Sequence, residues 1–486
     1  MRDYRLSFYI AGLFGCIFSL LMTIPMLVEY YYVGAEKNFD IFANSAMFGL
    51  FVSILMMVTS HTAHGSISKS SSFLATVLTW FYITFISAIP LYFAYYPNYS
   101  ITIIDALFES SSGITTTGAT ILSNLHNISM GILLWRAMLH FLGGVGVITL
   151  VFIVLPYLQN GAMYFFLTES SENQEKETPR ILDFALLIFL IYSAFAIVCA
   201  CTYYLLGMNG FDAICHAMST VSSGGFGNYD SSFATFNSAK LEVAAIFFMF
   251  LAAMPFIIIV RIFTRKRFAI NSQTFAMICL TLFLFFIICF VYFVFGNFKF
   301  SYTELRHLLF ALVSIQSSTG FFSADLSKYG QFLIFILIIA CVIGGCTGST
   351  SGGIKVYRVQ VVFAMVKHHF LKIIYPHIAT NVRCDDQEVS QQTVSSIVIL
   401  ISLYMFAMIV ITLIMCASNF GIAESIASAV SFLSNAGVIA TEYGASKSII
   451  VDFPQTLRAI CAFAMLLGRL EFIAIIVILV KFFRKG

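Results

Sequence analysis

The chain has 486 residues, 60% hydrophobic and only 10% charged, with a formal net charge of +3. Soluble domains carry about a quarter charged residues, so a mean hydropathy of +0.93 excludes a water-soluble globule. The dispersed basic residues also form no dense block that would suit nucleic acid. The 11 cysteines fall mostly in apolar runs, Cys16, Cys279, Cys289 and Cys416 among them. They read as small buried hydrophobes, not as disulfides or a metal site.

In chain order, the apolar run after Arg5 reaches about Val28 with no small-residue cleavage site, which predicts a first membrane helix rather than a removed signal. Further spans are predicted at 41–60, 73–95, 133–157, 181–206, 241–263, 272–296, 330–343 with a broken continuation, 393–418 and 456–482. Most approach the roughly 20 residues that cross a bilayer. One set of gaps is basic: Arg2 and Arg5, Lys69, then Arg261, Arg265, Lys266 and Arg267, then Lys367, Lys372 and Arg383, and finally Lys481, Arg484 and Lys485. The positive-inside rule makes that side cytoplasmic, with both termini on it. The loop Glu169–Arg180 belongs to the same side although it is mostly acidic. His61, His64, His368 and His369 are placed in loops of this side, without convincing metal spacing.

The other gaps, between spans three and four, five and six, seven and eight, and nine and ten, are semi-apolar stretches of about 35–45 residues rich in Ser, Thr, Gly and Ala. Each is too short for two more full helices, and irregular backbone at membrane depth is tolerated only when buried in protein or lining water. Re-entrant half-helices follow. The four stretches align on one glycine: Ser112-Gly113-Ile114-Thr115-Thr116-Thr117-Gly118, Ser219-Thr220-Val221-Ser222-Ser223-Gly224-Gly225, Ser314-Ile315-Gln316-Ser317-Ser318-Thr319-Gly320 and Ser431-Phe432-Leu433-Ser434-Asn435-Ala436-Gly437. A serine stands six residues before every glycine. Asp105, Asp212 and Glu424 stand thirteen before it, whereas His307 holds that place in the third stretch, with Glu304 one turn earlier.

Each unit therefore reads as helix, short helix, glycine loop, helix. An acid in the first turn of the short helix suits its positive dipole end. Two spans per unit return the chain to the same side, so the units run parallel and can surround one axis. A cation filter replaces hydration with backbone carbonyls, and glycine turns them inward without steric cost. Gly118, Gly225, Gly320 and Gly437 are thus expected to line one monovalent-cation pore, with the hydroxyls of Thr116, Thr117, Ser318 and Thr319 as candidate extra ligands. Small-residue motifs also pack membrane helices, but four in register are not needed for that.

Two further features stand at membrane depth. Arg469 and Glu471 lie within the last apolar span, and charge there marks a functional site. Arg469 is expected to face the path as an electrostatic barrier. The segment Gly344-Gly345-Cys346-Thr347-Gly348-Ser349-Thr350-Ser351-Gly352-Gly353-Ile354-Lys355 interrupts the eighth span. Its composition is poor for a helix, and a break just below the third loop reads as a gate. No strand precedes it and Lys355 is out of place for a phosphate loop, so that likeness is superficial.

Together, Thr115-Thr116-Thr117-Gly118, Ser222-Ser223-Gly224-Gly225-Phe226, the Gly344–Lys355 segment, Asn435-Ala436-Gly437 and Gly468-Arg469-Leu470-Glu471 resemble the Trk/Ktr/HKT superfamily of potassium transporters over nearly the whole chain. The two extra N-terminal spans are similar to the bacterial TrkH/TrkG type. The resemblance implies potassium coordination by backbone near Thr116, Thr117, Ser223, Gly224, Ser318, Thr319, Asn435 and Ala436 beside the four glycines. It implies a homodimer with one pore per protomer, a gating role for the Gly344–Lys355 segment, and Arg469 as the arginine below the filter. It also implies a cytosolic ring of TrkA-like subunits that bind nucleotide, and residence in a bacterial inner membrane. No covalent cofactor is expected; potassium is the substrate, nucleotide enters only through the regulator, and membrane lipid surrounds the protein.

The expected fold is an all-α polytopic membrane protein: two N-terminal helices (1–65) and four parallel helix–pore-loop–helix repeats (66–165, 166–268, 269–385 with a broken last helix, and 386–486) around a pseudo-four-fold pore. A symporter coupling potassium to sodium or protons is the alternative, which Glu471 alone supports. No convergent acid–base or nucleophile set suggests an enzyme.

Overall fold

A segment in hydrocarbon must satisfy its own N–H and C=O groups, which leaves the long apolar runs one choice, the helix. A computed structural model describes residues 2–32, 38–60, 69–96, 100–154, 181–256, 258–259, 271–295, 301–375, 381–384, 387–437, 449–472, 474 and 476. Within them, six helices are long and apolar enough to span a bilayer: Arg5–Tyr32, Asn38–Ser60, Phe73–Phe93, Leu186–Leu205, Ser272–Val294 and Gln391–Ala417. The expected basic clusters at 261–267 and 481–485, the acidic loop 169–180, and His61 and His64 lie outside the described residues. His368 and His369 are not in a loop. They sit on the helix Val356–Ile374. Among the described residues, the one strand pairing is a two-residue antiparallel ladder that pairs Arg383 with Glu388.

The two N-terminal segments, Arg2–Leu21 and Asn38–Ser60, pack on one another, and the first also packs on Lys69–Phe93. Phe42 and Trp135, both fully buried, meet edge to face at 6.5 Å and join this pair to the rest. Burial of one such side chain contributes roughly 2 kcal/mol.

Beyond Lys69 one pattern recurs four times. A long helix leads to a short one: Ile103–Ile114, Gly210–Val221, Tyr302–Gln316 and Ile422–Leu433. A loop, a single 3-10 turn and a second helix follow, the last being Met130–Val154, Ala239–Ala252, Gly330–Ile343 and Gln455–Arg469. Each second helix packs against the short helix of the next unit, and that of the fourth packs against the short helix of the first.

Three of the second helices stop after 14 or 15 residues. The second unit's helix ends at Ala252, short of the expected 263, because Pro255 has no N–H to continue it. The third ends at Ile343, where Gly344 takes φ 69°. The fourth is not the continuous span expected over 456–482. It leaves the helix at Leu470, and Glu471 and Phe472 adopt φ 52° and 59°.

Candidate functional site

The acids stand in the first turn of the short helices, and two of them close capping boxes. Asp105 accepts the backbone N–H of Thr102 at 2.9 Å and Glu424 that of Gly421 at 3.3 Å, while Asn209 caps Asp212 N at 2.8 Å. The third unit follows the same rule after all. Its short helix has 15 residues where the others have 12, so it begins nearly a turn earlier. Glu304 is then the third helical residue, as Asp105, Asp212 and Glu424 are in theirs, and His307 merely occupies the shifted register. The acids also hold distant partners: Arg458 on Asp105, Asn228 and Tyr229 on Asp212 at 2.7 and 2.8 Å, and Tyr329 on Glu304.

All four short helices end four residues before the aligned glycine, and they end identically. Thr116, Ser223, Ser318 and Asn435 turn left-handed at φ 55°, 55°, 59° and 54°. The following N–H groups, of Thr117, Gly224, Thr319 and Ala436, donate back to the carbonyls of Ser112, Ser219, Ser314 and Ser431 at 2.8–2.9 Å. This is the six-to-one closure of a Schellman motif, normally built on glycine. Here four residues with a Cβ accept that conformation at roughly 1 kcal/mol each. The acceptor at the repeated serine position is its backbone carbonyl, which any residue would supply. Its hydroxyl varies in use: Ser219 meets His140 Nδ1 at 3.0 Å, Ser314 donates to Phe321 O at 2.7 Å, and those of Ser112 and Ser431 have no partner among the described residues.

Two residues on, Gly118, Gly225 and Gly320 have φ 82°, 86° and 81°; Gly437 does not share the positive value. The loops touch in sequence. A Cβ on Gly118 would lie 2.1 Å from Gly224 O, one on Gly225 2.0 Å from Thr319 O, and one on Gly437 2.6 Å from Thr117 O. In each case the glycine of one loop abuts the carbonyl just before the glycine of the next. No side chain fits at these three junctions.

The hydroxyls proposed as extra ligands are largely engaged elsewhere. Thr117 Oγ1 bonds Thr115 Oγ1 at 2.7 Å and accepts from Asn435 Nδ2 at 3.0 Å. Thr319 Oγ1 bonds Ser317 Oγ at 2.8 Å, and Ser318 Oγ accepts from Gly352 N at 3.1 Å. With the hydroxyls of Thr117, Ser318 and Thr319 so engaged, the loop carbonyls and the Thr116 hydroxyl remain as candidate ligands.

Gly344–Lys355 forms a closed loop, pinned at its base by Ile354 N to Val342 O at 2.9 Å and Lys355 N to Ile343 O at 2.8 Å. It reaches three of the four loops, not the third alone. Thr350 Oγ1 bonds Ser223 Oγ at 2.8 Å, Gly352 N bonds Ser318, and a Cβ on Gly352 would lie 2.0 Å from Ser434 O. Gly345, Cys346, Gly348 and Gly353 complete the turn through backbone contacts, with Cys346 N on Ala253 O at 3.0 Å and Phe256 N on Gly348 O at 2.9 Å. Thr347 N bonds Gln273, and the hydroxyls of Ser349 and Ser351 bond each other at 2.6 Å. Arg469 joins this segment to the first unit. Its Nη1 donates to Thr350 O at 3.0 Å and its Nη2 to Gly143 O at 3.2 Å, while Nε has no partner among the described residues. Glu471 pairs instead with Arg358 at 2.6 Å and Lys355 at 3.6 Å.

Among the charged pairs that sequence reasoning missed is the deeply buried Glu109 and Arg136, which bond at 2.8 Å behind the first two loops. The signal was present: Arg136 is a lone cation inside a predicted span, the same rule that drew attention to Arg469.

This chain matches the TrkH family, described as cation transport protein, over residues 37–485. It is 30% identical to the Trk system potassium uptake protein TrkH of Halomonas elongata over 486 residues, covering 99% of both chains. It is 29% identical to the Trk system potassium uptake protein TrkG of Escherichia coli, again over 99% of each. Its structure is similar to the crystal structure of the potassium transporter TrkH from Vibrio parahaemolyticus, with a TM-score of 0.87, 26% identity and 98% of each chain covered.

Proposed function

The chain belongs to the TrkH family of cation transport proteins, a family of transporters and not of enzymes, and from that premise we propose that it takes up potassium through a ring formed by its four loops. One observation carries this reading: at three junctions a loop glycine abuts the carbonyl of the next loop. The cyclic packing of the four units, taken as 66–165, 166–268, 269–385 and 386–486, supports a pseudo-four-fold axis. Carbonyls of Thr116, Thr117, Gly118, Ser223, Gly224, Gly225, Ser318, Thr319, Gly320, Asn435, Ala436 and Gly437 then replace the hydration shell of the ion. The short helices aim their negative ends at the same place. The names of the relatives, potassium uptake proteins, favour potassium.

In this reading Gly344–Lys355 is a gate beneath the filter and Arg469 an electrostatic barrier at the same level. A homodimer in the inner membrane, with both termini cytoplasmic and a cytosolic TrkA-like nucleotide-binding subunit as regulator, completes the proposal. Pairing of Glu471 with Lys355 and Arg358 takes away the one acid that favoured coupling. Flux along potassium's own gradient is therefore preferred to symport. Reconstituted in liposomes, the protein should give a reversal potential that follows potassium alone. A reversal potential set by the potassium and the sodium or proton gradients together at a fixed stoichiometry would establish coupling instead.

A further inference from the structure

The most completely buried ion pair among the described residues lies behind the loops and has no part in the reading above. Glu109 is on the first short helix and Arg136 on the second helix of the same unit; each side chain is 1% exposed. Glu109 Oε1 accepts from Arg136 Nε at 2.8 Å and from Thr120 Oγ1 at 2.9 Å, and Oε2 accepts from Ile121 N at 3.2 Å. Arg136 Nη2 donates to Thr120 Oγ1 at 3.1 Å, and Nη1 crosses to the second unit to reach Gly227 O at 3.3 Å. Its guanidinium also lies 4.0 Å over the ring of Phe226, which stacks on His140 at 4.1 Å.

The partners form a pattern. Thr120 stands two residues after Gly118, and Gly227 two after Gly225. One pair therefore grips the same position of two adjacent loops, whose glycine-to-carbonyl contact leaves no slack. The pair is also neutral as a unit, so it adds no net charge beside a cation path. A hydrophobic pair of similar volume would pack as well, but it would not address the Ile121 N–H or the Gly227 carbonyl.

We propose that Glu109 and Arg136 are positioning residues for ion selectivity: they set the spacing of the first two loops. This rests on the filter reading. In Glu109→Gln, the new amide must place its NH2 against either Arg136 Nε or Ile121 N, both donors, so one grip fails.

The test measures rubidium uptake with sodium competition in cells lacking potassium transport, normalised to protein found in the membrane. Glu109→Gln should reduce discrimination against sodium about tenfold, equivalent to about 1.4 kcal/mol, and Arg136→Lys should reduce it less. The exchanged pair, Glu109→Arg with Arg136→Glu, keeps a neutral unit but inverts every donor and acceptor, so it too should lose discrimination. Thr120→Val removes only the bridging hydroxyl and covers the case in which the charge variants do not accumulate; it should shift discrimination measurably. Wild-type discrimination in Glu109→Gln, in the exchanged pair or in Thr120→Val overturns the proposal. Gly225→Ser separates the two readings: if it changes discrimination while the clamp variants do not, only the clamp fails, and if it changes nothing, the filter reading fails as well.

Discussion

Two glycine- and hydroxyl-rich regions lie against each other in this protein, and they are held in different ways. The four loops are fixed by backbone: each closes on its own helix through the same carbonyl, and glycines abut carbonyls where no Cβ fits. Gly344–Lys355 beneath them closes its own base and joins Ala253 and Phe256 by backbone bonds, and Gly352 abuts Ser434 O, but its hydrogen bonds to the loops run through single hydroxyls, those of Thr350 and Ser318. A net contribution of about 1 kcal/mol per hydrogen bond makes those fastenings separately breakable. A similar composition thus yields one region closed by backbone and another whose hydrogen bonds to it run through separable hydroxyls, a contrast that suits the proposed filter and gate.

The sharpest way to break this contrast is Gly118→Ala. Its Cβ would enter 2.1 Å from Gly224 O, at a φ of 82°, so rubidium uptake should be lost even though the change adds one methyl. Arg469→Ala comes next. It removes a buried charge that bridges Thr350 O and Gly143 O, and liposome flux should rise about tenfold, as for about 1.4 kcal/mol; unchanged conductance and selectivity would dismiss the barrier. Thr350→Val deletes the hydroxyl shared with Ser223, Val221 O and Ala252 O. Flux without any cytosolic partner should rise roughly fivefold, the effect of about 1 kcal/mol. A flux equal to wild type would mean that hydroxyls do not hold the segment. The smallest effect belongs to Ser112→Ala, whose hydroxyl lacks a partner among the described residues. Uptake should stay within the change that about 0.5 kcal/mol produces, and a clear loss would show that this side chain meets the ion.

Much of this arrangement was legible because the chain states it four times. The serine-to-glycine spacing, Ser112 to Gly118 and its three counterparts, is a backbone requirement of one helix ending, so it recurs wherever that ending is built. The end of the eighth span at 343 was legible for a similar reason, since no run of Gly, Ser and Thr extends a helix well. What was hidden depended on context. His307 looked like an exception only because the third short helix is nearly a turn longer, which moves Glu304 into the capping position. The break after Arg469 carries no glycine or proline at 470–472 to announce it, and it is sustained by the pairing of Glu471 with Arg358 and Lys355. Contacts such as Arg136 to Gly227, 91 residues apart, follow from packing between units, which no local pattern encodes.

If the glycine loops form the ion path, Gly225 is where a single substitution should disturb it most plainly, because a Cβ there would stand 2.0 Å from Thr319 O. Rubidium uptake should be compared between wild type and Gly225→Ser in cells lacking other potassium transport, with sodium as competitor. The variant should lose uptake or its preference over sodium while still reaching the membrane. Equal uptake with equal sodium sensitivity would contradict an ion path through the loops.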